Sequence, residues 1–186
     1  MPTIRHWNSV LRVLRYLKGT AEYSILYGRK GATGPKSPGL QGYYDADYAG
    51  DIVDRKSVTG HLFTKNGGPV TWTSTKQRYV ATSTTKSEYI ALSEACKQRQ
   101  WLRALLRELQ RTMLLGQDLK VPIFSDNQAC IALAKDPVAH SRTKHIDVRY
   151  YYIRELVTGG KVTVDYCPTV DITADILTKP LALQGF

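Results

Sequence analysis

The sequence predicts a mixed α/β sheet covered by helices. Two observations carry this. Element signals run in the order three strands, helix, strand, helices, strand, short helix, which suits a sheet with helical layers rather than a bundle or a sandwich. The 186 residues are 42% hydrophobic with a mean hydropathy of −0.31, enough for a soluble core without disulfides. No apolar run approaches the roughly 18–20 residues of a membrane span.

Residues 4–18 place Trp7, Val10, Leu11, Leu14 and Leu17 at helical spacing, and Gly19 stops the pattern. Residues 21–27 read as a short strand, and the Gly-, Lys- and Pro-rich stretch 28–39 as a linker. The strand 42–48 sets Asp45 and Asp47 on one face. Strands 57–64 and 69–74 flank the turn Lys65-Asn66-Gly67-Gly68, making an antiparallel meander that 78–82 could extend. Ser83, Thr84 and Thr85 are good helix-capping residues before a long helical pattern, with a possible break near Lys97 and Gln98. Residues 121–124 form a short apolar strand, and 127–134 a helix that ends before Pro137. A further helix spans 143–156. Gly159 and Gly160 precede strand 161–166, and 171–177 make a last short helix. Trp72 and Trp101 are expected in the core.

Charge is the first functional clue. Lys and Arg number 26 against 16 Asp and Glu, a net +10 that suits a polyanion such as nucleic acid. The three cysteines, Cys96, Cys130 and Cys167, are widely spaced with no CxxC pair, which argues against a zinc site or disulfide framework and for a reducing compartment. Residues 1–20 interleave charge with apolar residues and lack the clean apolar centre of a signal peptide. The abrupt start and end suggest a piece of a longer chain.

Four acids occupy distinctive settings. Asp45 lies in the first main strand, Glu88 one turn into the long helix, Asp126 just past an apolar strand, and Asp175 in the last short helix. Gathered by a fold, such carboxylates suit Mg²⁺, which takes hard oxygen ligands, and two such ions can assist phosphodiester hydrolysis. Spacing alone is a weak signal, because most acids are solvated surface groups.

The words around these acids are more specific. In order they are Tyr44–Gly50 (YDADYAG), Asp54-Arg55-Lys56-Ser57 with Thr59-Gly60, Ser87–Leu92 (SEYIAL), Ser125–Gln128 (SDNQ), Arg142–Asp147 (RTKHID) and Ala174–Leu181 (ADILTKPL). This series resembles the ribonuclease H domain of Copia-type (Pseudoviridae) retrotransposon polyproteins from about Gly42 to Leu181. Arg5-His6-Trp7 and Val13–Thr20 resemble the stretch between polymerase and ribonuclease H in such polyproteins. The resemblance implies residues 1–38 as a remnant of the reverse-transcriptase thumb or connection with its linker, and 39–186 as a ribonuclease H domain. It also implies a five-stranded mixed sheet of order 3-2-1-4-5, with helices on both faces.

It further implies a metal-dependent endonuclease that cuts the RNA strand of RNA–DNA hybrids, leaving 3′-hydroxyl and 5′-phosphate ends. Asp45, Glu88, Asp126 and Asp175 would hold two Mg²⁺ ions, or Mn²⁺ in their place. Asp47 competes with Asp45, and Asp171 with Asp175. Thr84, Thr85, Asn127, Gln128, Arg142 and Lys144 would contact substrate, although capping is an equal use for Thr84 and Thr85. The implied partners are the hybrid and the reverse transcriptase of the same polyprotein, in a cytoplasmic virus-like particle, with no membrane. A catalytically inactive hybrid-binding module is the main alternative, and a transposase or integrase core a more distant one. The loop 167–173 carries no His where cellular and retroviral relatives have one, which leaves His140 and His145 as substitutes or as structural residues.

Overall fold

The computed structural model describes residues 1–28, 39–113, 121–136 and 147–180. Five strands form one sheet: β1 (Gln41–Asp47), β2 (Val58–Lys65), β3 (Gly68–Lys76), β4 (Pro122–Ser125) and β5 (Thr163–Tyr166). Their order is β3-β2-β1-β4-β5, antiparallel across β1–β2–β3 and parallel across β1–β4–β5. This is the mixed sheet the sequence predicts.

The meander closes at Asn66 and Gly67, with φ of 51° and 80°. Both angles are left-handed, as a two-residue hairpin turn that follows the strand twist requires. A single helix α2 (Thr84–Met113) then crosses back, without a break at Lys97. Its start is capped by Ser83, whose Oγ accepts from the Lys86 N–H at 3.2 Å, and not by Thr84 or Thr85. Helices α3 (Gln128–Lys135) and α4 (Asp147–Thr158) complete one layer.

The strand alternation decides what lies on each face. Tyr44 points to the helices and joins Tyr89, Leu92, Ile123, Cys130, Ile153 and Val164 in the main core. Tyr43 and Asp45 point the other way. There Tyr43 packs with Cys167, Ile172 and Ala174, and stacks on Phe124 with ring centroids 5.5 Å apart. Among the described residues, only short 3₁₀ turns at Thr169–Asp171 and Thr173–Leu177 cover this second face. The expected final α-helix is therefore two tighter turns separated by buried Ile172. All three cysteines are buried free thiols.

Other expectations change. Residues 21–27 make no ladder. The segment instead leans on the β2–β3 turn, where the Tyr27 hydroxyl donates to the Pro69 carbonyl at 2.6 Å and the Gly28 N–H to the Asn66 carbonyl at 2.9 Å. Residues 78–82 are bends that lead into α2, not sheet. Trp72 and Trp101 are 55% and 56% exposed. Trp72 lies on β3, which is the edge of the sheet among the described residues. The first helix, α1 (Ile4–Gly19), has its predicted amphipathic pattern but buries none of its residues.

Candidate active site

The parallel pairing of β1 and β4 sets the site. Tyr43 lies opposite Phe124, so Asp45 and Asp126, each two residues on, emerge at the same end of the sheet. The first turns of α2 bring Glu88 to that end, where the nearby Ala46 backbone N–H favours its charged form. One carboxylate oxygen from each of Asp45, Glu88 and Asp126 lies within 4.8 Å of the other two. Asp47, on the same face, is not in this group.

Asp45 and Glu88 are only 7% and 6% exposed. Burial, reinforced by the Asp45 and Asp126 charges, pushes Glu88 from 4.5 to about 9. Burial also raises Asp45, helped by Asp175 and opposed by a hydrogen bond donated by the Thr178 hydroxyl. Asp126 accepts from the Thr169 hydroxyl at 2.7 Å. Glu88 Oε2 is buried with no hydrogen-bond partner among the described residues. An unpartnered buried carboxylate oxygen, within a set of hard oxygen donors that repel one another, fits a divalent cation such as Mg²⁺.

Asp175 is arranged differently. It is close enough to Asp45 to raise its pKa, yet its own Oδ1 sits 2.6 Å from Lys179 Nζ. Gly60 permits this layout. A Cβ there would meet Thr178 Cγ2 at 2.7 Å and the Ala174 carbonyl at 3.0 Å, so only glycine lets the 173–178 turn lie against β2.

No protein-family model matches the chain. The retrovirus-related Pol polyprotein from transposon TNT 1-94 of Nicotiana tabacum is 45% identical over 185 residues, which span 100% of this chain and 13% of that polyprotein. The chain is homologous over its full length to Pol polyproteins of plant Copia-type retrotransposons. A second such Pol, from transposon RE2 of Arabidopsis thaliana, is 40% identical over 188 residues, spanning 100% of the chain and 12% of the relative. The chain thus corresponds to a small part of the length of these Pol relatives. Its fold is that of ribonuclease H. LC11-RNase H1, solved in complex with RNA/DNA hybrid, matches with a TM-score of 0.50 at 16% identity, over 75% of this chain and 93% of that one.

Asn127 caps α3, its Oδ1 accepting from the Cys130 N–H at 2.9 Å. Gln128 and Thr84 are exposed, and Thr85 is half-buried. Arg142, Lys144, His140 and His145 lie outside the described residues. Sequence reasoning missed Thr169, Thr178 and Lys179, the groups that hold the acids in place. Lys179 had a visible signal, because Asp175 and Lys179 stand at i,i+4 spacing.

Proposed function

We propose that this chain is the ribonuclease H domain of a retrotransposon Pol polyprotein, a metal-dependent endonuclease that cuts the RNA strand of RNA–DNA hybrids. The observation that carries the reading is the convergence of buried Asp45 and Glu88 with half-buried Asp126 in a chain of net charge +10. The solved ribonuclease H1 of the same fold holds an RNA/DNA hybrid, which supports this substrate class.

Asp45, Glu88 and Asp126 would hold Mg²⁺ or Mn²⁺, with Asp175 as the fourth carboxylate beside Asp45. Bound there, divalent metal supplies charge that stabilises the pentacovalent phosphorus and makes water more acidic. The chain's own residues prepare that chemistry. The Thr169 and Thr178 hydroxyls orient the Asp126 and Asp45 carboxylates. Lys179 tethers Asp175 and adds positive charge where the scissile phosphate would arrive. Thr84, Thr85, Asn127 and Gln128, which flank the acids in the sequence, would contact substrate, as would Arg142 and Lys144.

Residues 39–186 form the nuclease in this reading. Residues 1–38 end the reverse-transcriptase thumb or connection, and the polymerase of the same polyprotein is the partner inside a cytoplasmic virus-like particle. The exposed apolar side of α1 supports such a role for the first segment.

One observation favours a second reading, an inactive hybrid-binding module: the Asp175 carboxylate already carries a protein cation. Incubating the purified chain with an RNA–DNA hybrid labelled on its RNA strand separates the two. Cleavage that requires Mg²⁺ or Mn²⁺ and vanishes in Asp126→Asn is expected. Hybrid binding without cleavage would favour the second reading, and full cleavage in excess EDTA would refute the metal mechanism.

A further inference from the structure

On the α2 side of β2 and β3, the fold leaves a pocket of about 820 Å³ that shares no side chain with the carboxylate cluster. Its size lies within the roughly 300–1,000 Å³ of small-molecule sites. Three buried polar residues line it, Thr59, His61 and Gln77. His61 on β2 is 5% exposed, and neither ring nitrogen has a hydrogen-bond partner among the described residues. Gln77, just past β3, is 6% exposed. Its amide nitrogen donates to Thr59 Oγ1 at 2.9 Å and to the Ser87 carbonyl at 3.0 Å, which fixes the amide and leaves Oε1 without a donor.

Burial lowers the His61 pKa against the opposing pull of Glu94, so the ring is neutral and offers one donor and one acceptor. The two side chains therefore present one donor and two acceptors. Trp101 and Tyr79, both well exposed, also line the pocket. So do Lys97 and Arg149, which stand 2.9 Å and 4.0 Å from the single Glu94 carboxylate, and Arg78.

Unpaired donors and acceptors suit the edge of a nucleobase. Exposed aromatic rings suit stacking on its face, and an excess of cations suits phosphate. We propose that this pocket binds a nucleotide, either free or as an unpaired unit of a nucleic-acid strand. His61 and Gln77 read the base edge, Trp101 stacks, and Lys97 with Arg149 meets the phosphate. The site is independent of the nuclease reading, because it uses neither the carboxylates nor a metal.

Calorimetric titration of the whole chain in EDTA with AMP, GMP, CMP and UMP tests it, with inorganic phosphate and a short single-stranded oligonucleotide as further arms. At least one monophosphate should bind, about tenfold or more tighter than inorganic phosphate. His61→Leu and Trp101→Ala should each weaken that binding about tenfold, with far-ultraviolet circular dichroism unchanged. Trp101 is exposed, so its variant keeps the test intact should His61→Leu fail to fold. An oligonucleotide much tighter than the monophosphates, and equally sensitive to the two substitutions, identifies a strand unit as the occupant; equal affinity identifies the free nucleotide. The proposal is overturned by no binding at millimolar nucleotide, by inorganic phosphate binding as tightly as the nucleotides, or by a folded Trp101→Ala chain that binds like the wild type.

Discussion

Replacing Glu88 by glutamine should make the metal-free protein more stable, increasingly so as pH rises above about 4.5. Glu88 is buried beside Asp45 and Asp126, and its pKa rises from 4.5 to about 9. Between those values the folded chain keeps a proton that the unfolded chain has released. Stability must therefore fall as pH rises through this window, by about 1.4 kcal/mol per pH unit. From pH 4.5 to pH 7 the loss attributable to this one group is about 3 kcal/mol. Glu88→Gln keeps the size of the protonated acid and has no proton to lose. In EDTA, the variant should match the wild type near pH 4.5 and exceed it by about 3 kcal/mol at pH 7.

Urea denaturation of both proteins across pH 4.5–8 reads this directly, because every other titrating group is common to the pair and cancels in the difference. Added Mg²⁺ should shrink the gap at pH 7, since a bound cation stabilises only the carboxylate form. A difference between the two proteins that stays constant over this pH range would refute the assignment of the shared proton to Glu88.

Three further substitutions probe the supports of the site. Gly60→Ala drives a methyl into Thr178 and the Ala174 carbonyl, so it should cost about 1–3 kcal/mol in urea denaturation and lower hybrid cleavage by displacing the Asp175 turn. Thr178→Val removes the hydroxyl that donates to Asp45. Because that bond favours the charged acid, the loss should approach about 1.5–3 kcal/mol at pH 8 and be smaller at pH 4, as paired denaturation curves would reveal. Lys179→Ala frees the Asp175 carboxylate. Lys179 is 44% exposed, so its competition with a divalent cation is worth about 1 kcal/mol or less. Titrating Mg²⁺ in a cleavage assay should then give a half-maximal concentration up to about fivefold lower than in the wild type.

Much of the fold was legible because local patterns and tertiary packing agree. The Asn66-Gly67 turn, the Ser83 cap and the apolar strand before Asp126 each mark a boundary by chemistry that acts within a few residues. Failures came where the tertiary environment decides. Trp72 and Trp101 have the size of core residues, but one sits on an edge strand and the other beside an open pocket. Residues 21–27 have strand composition but are tied to the β2–β3 hairpin by the Tyr27 hydroxyl and the following Gly28 N–H, which no periodicity encodes.

The site divides in the same way. That Asp45, Glu88 and Asp126 belong together, with Asp45 preferred to Asp47, followed from the words around them, whereas the β1–β4 register that brings Asp45 and Asp126 to one end of the sheet is invisible in one sequence. The groups that reduce repulsion among the acids were harder to see. In the metal-free protein a proton rests on Glu88 and an ammonium on Asp175, each lowering the cost of crowding carboxylates in a buried place. Both must be given up before all four acids can serve a divalent cation. Metal affinity should therefore rise with pH as the Glu88 proton becomes easier to lose. Glu88→Gln and Lys179→Ala should move that affinity in opposite directions, because the first removes a ligand charge and the second removes a competing cation. A protein whose four acids were equivalent ligands, with no resident counter-charge, would show the first effect and not the second.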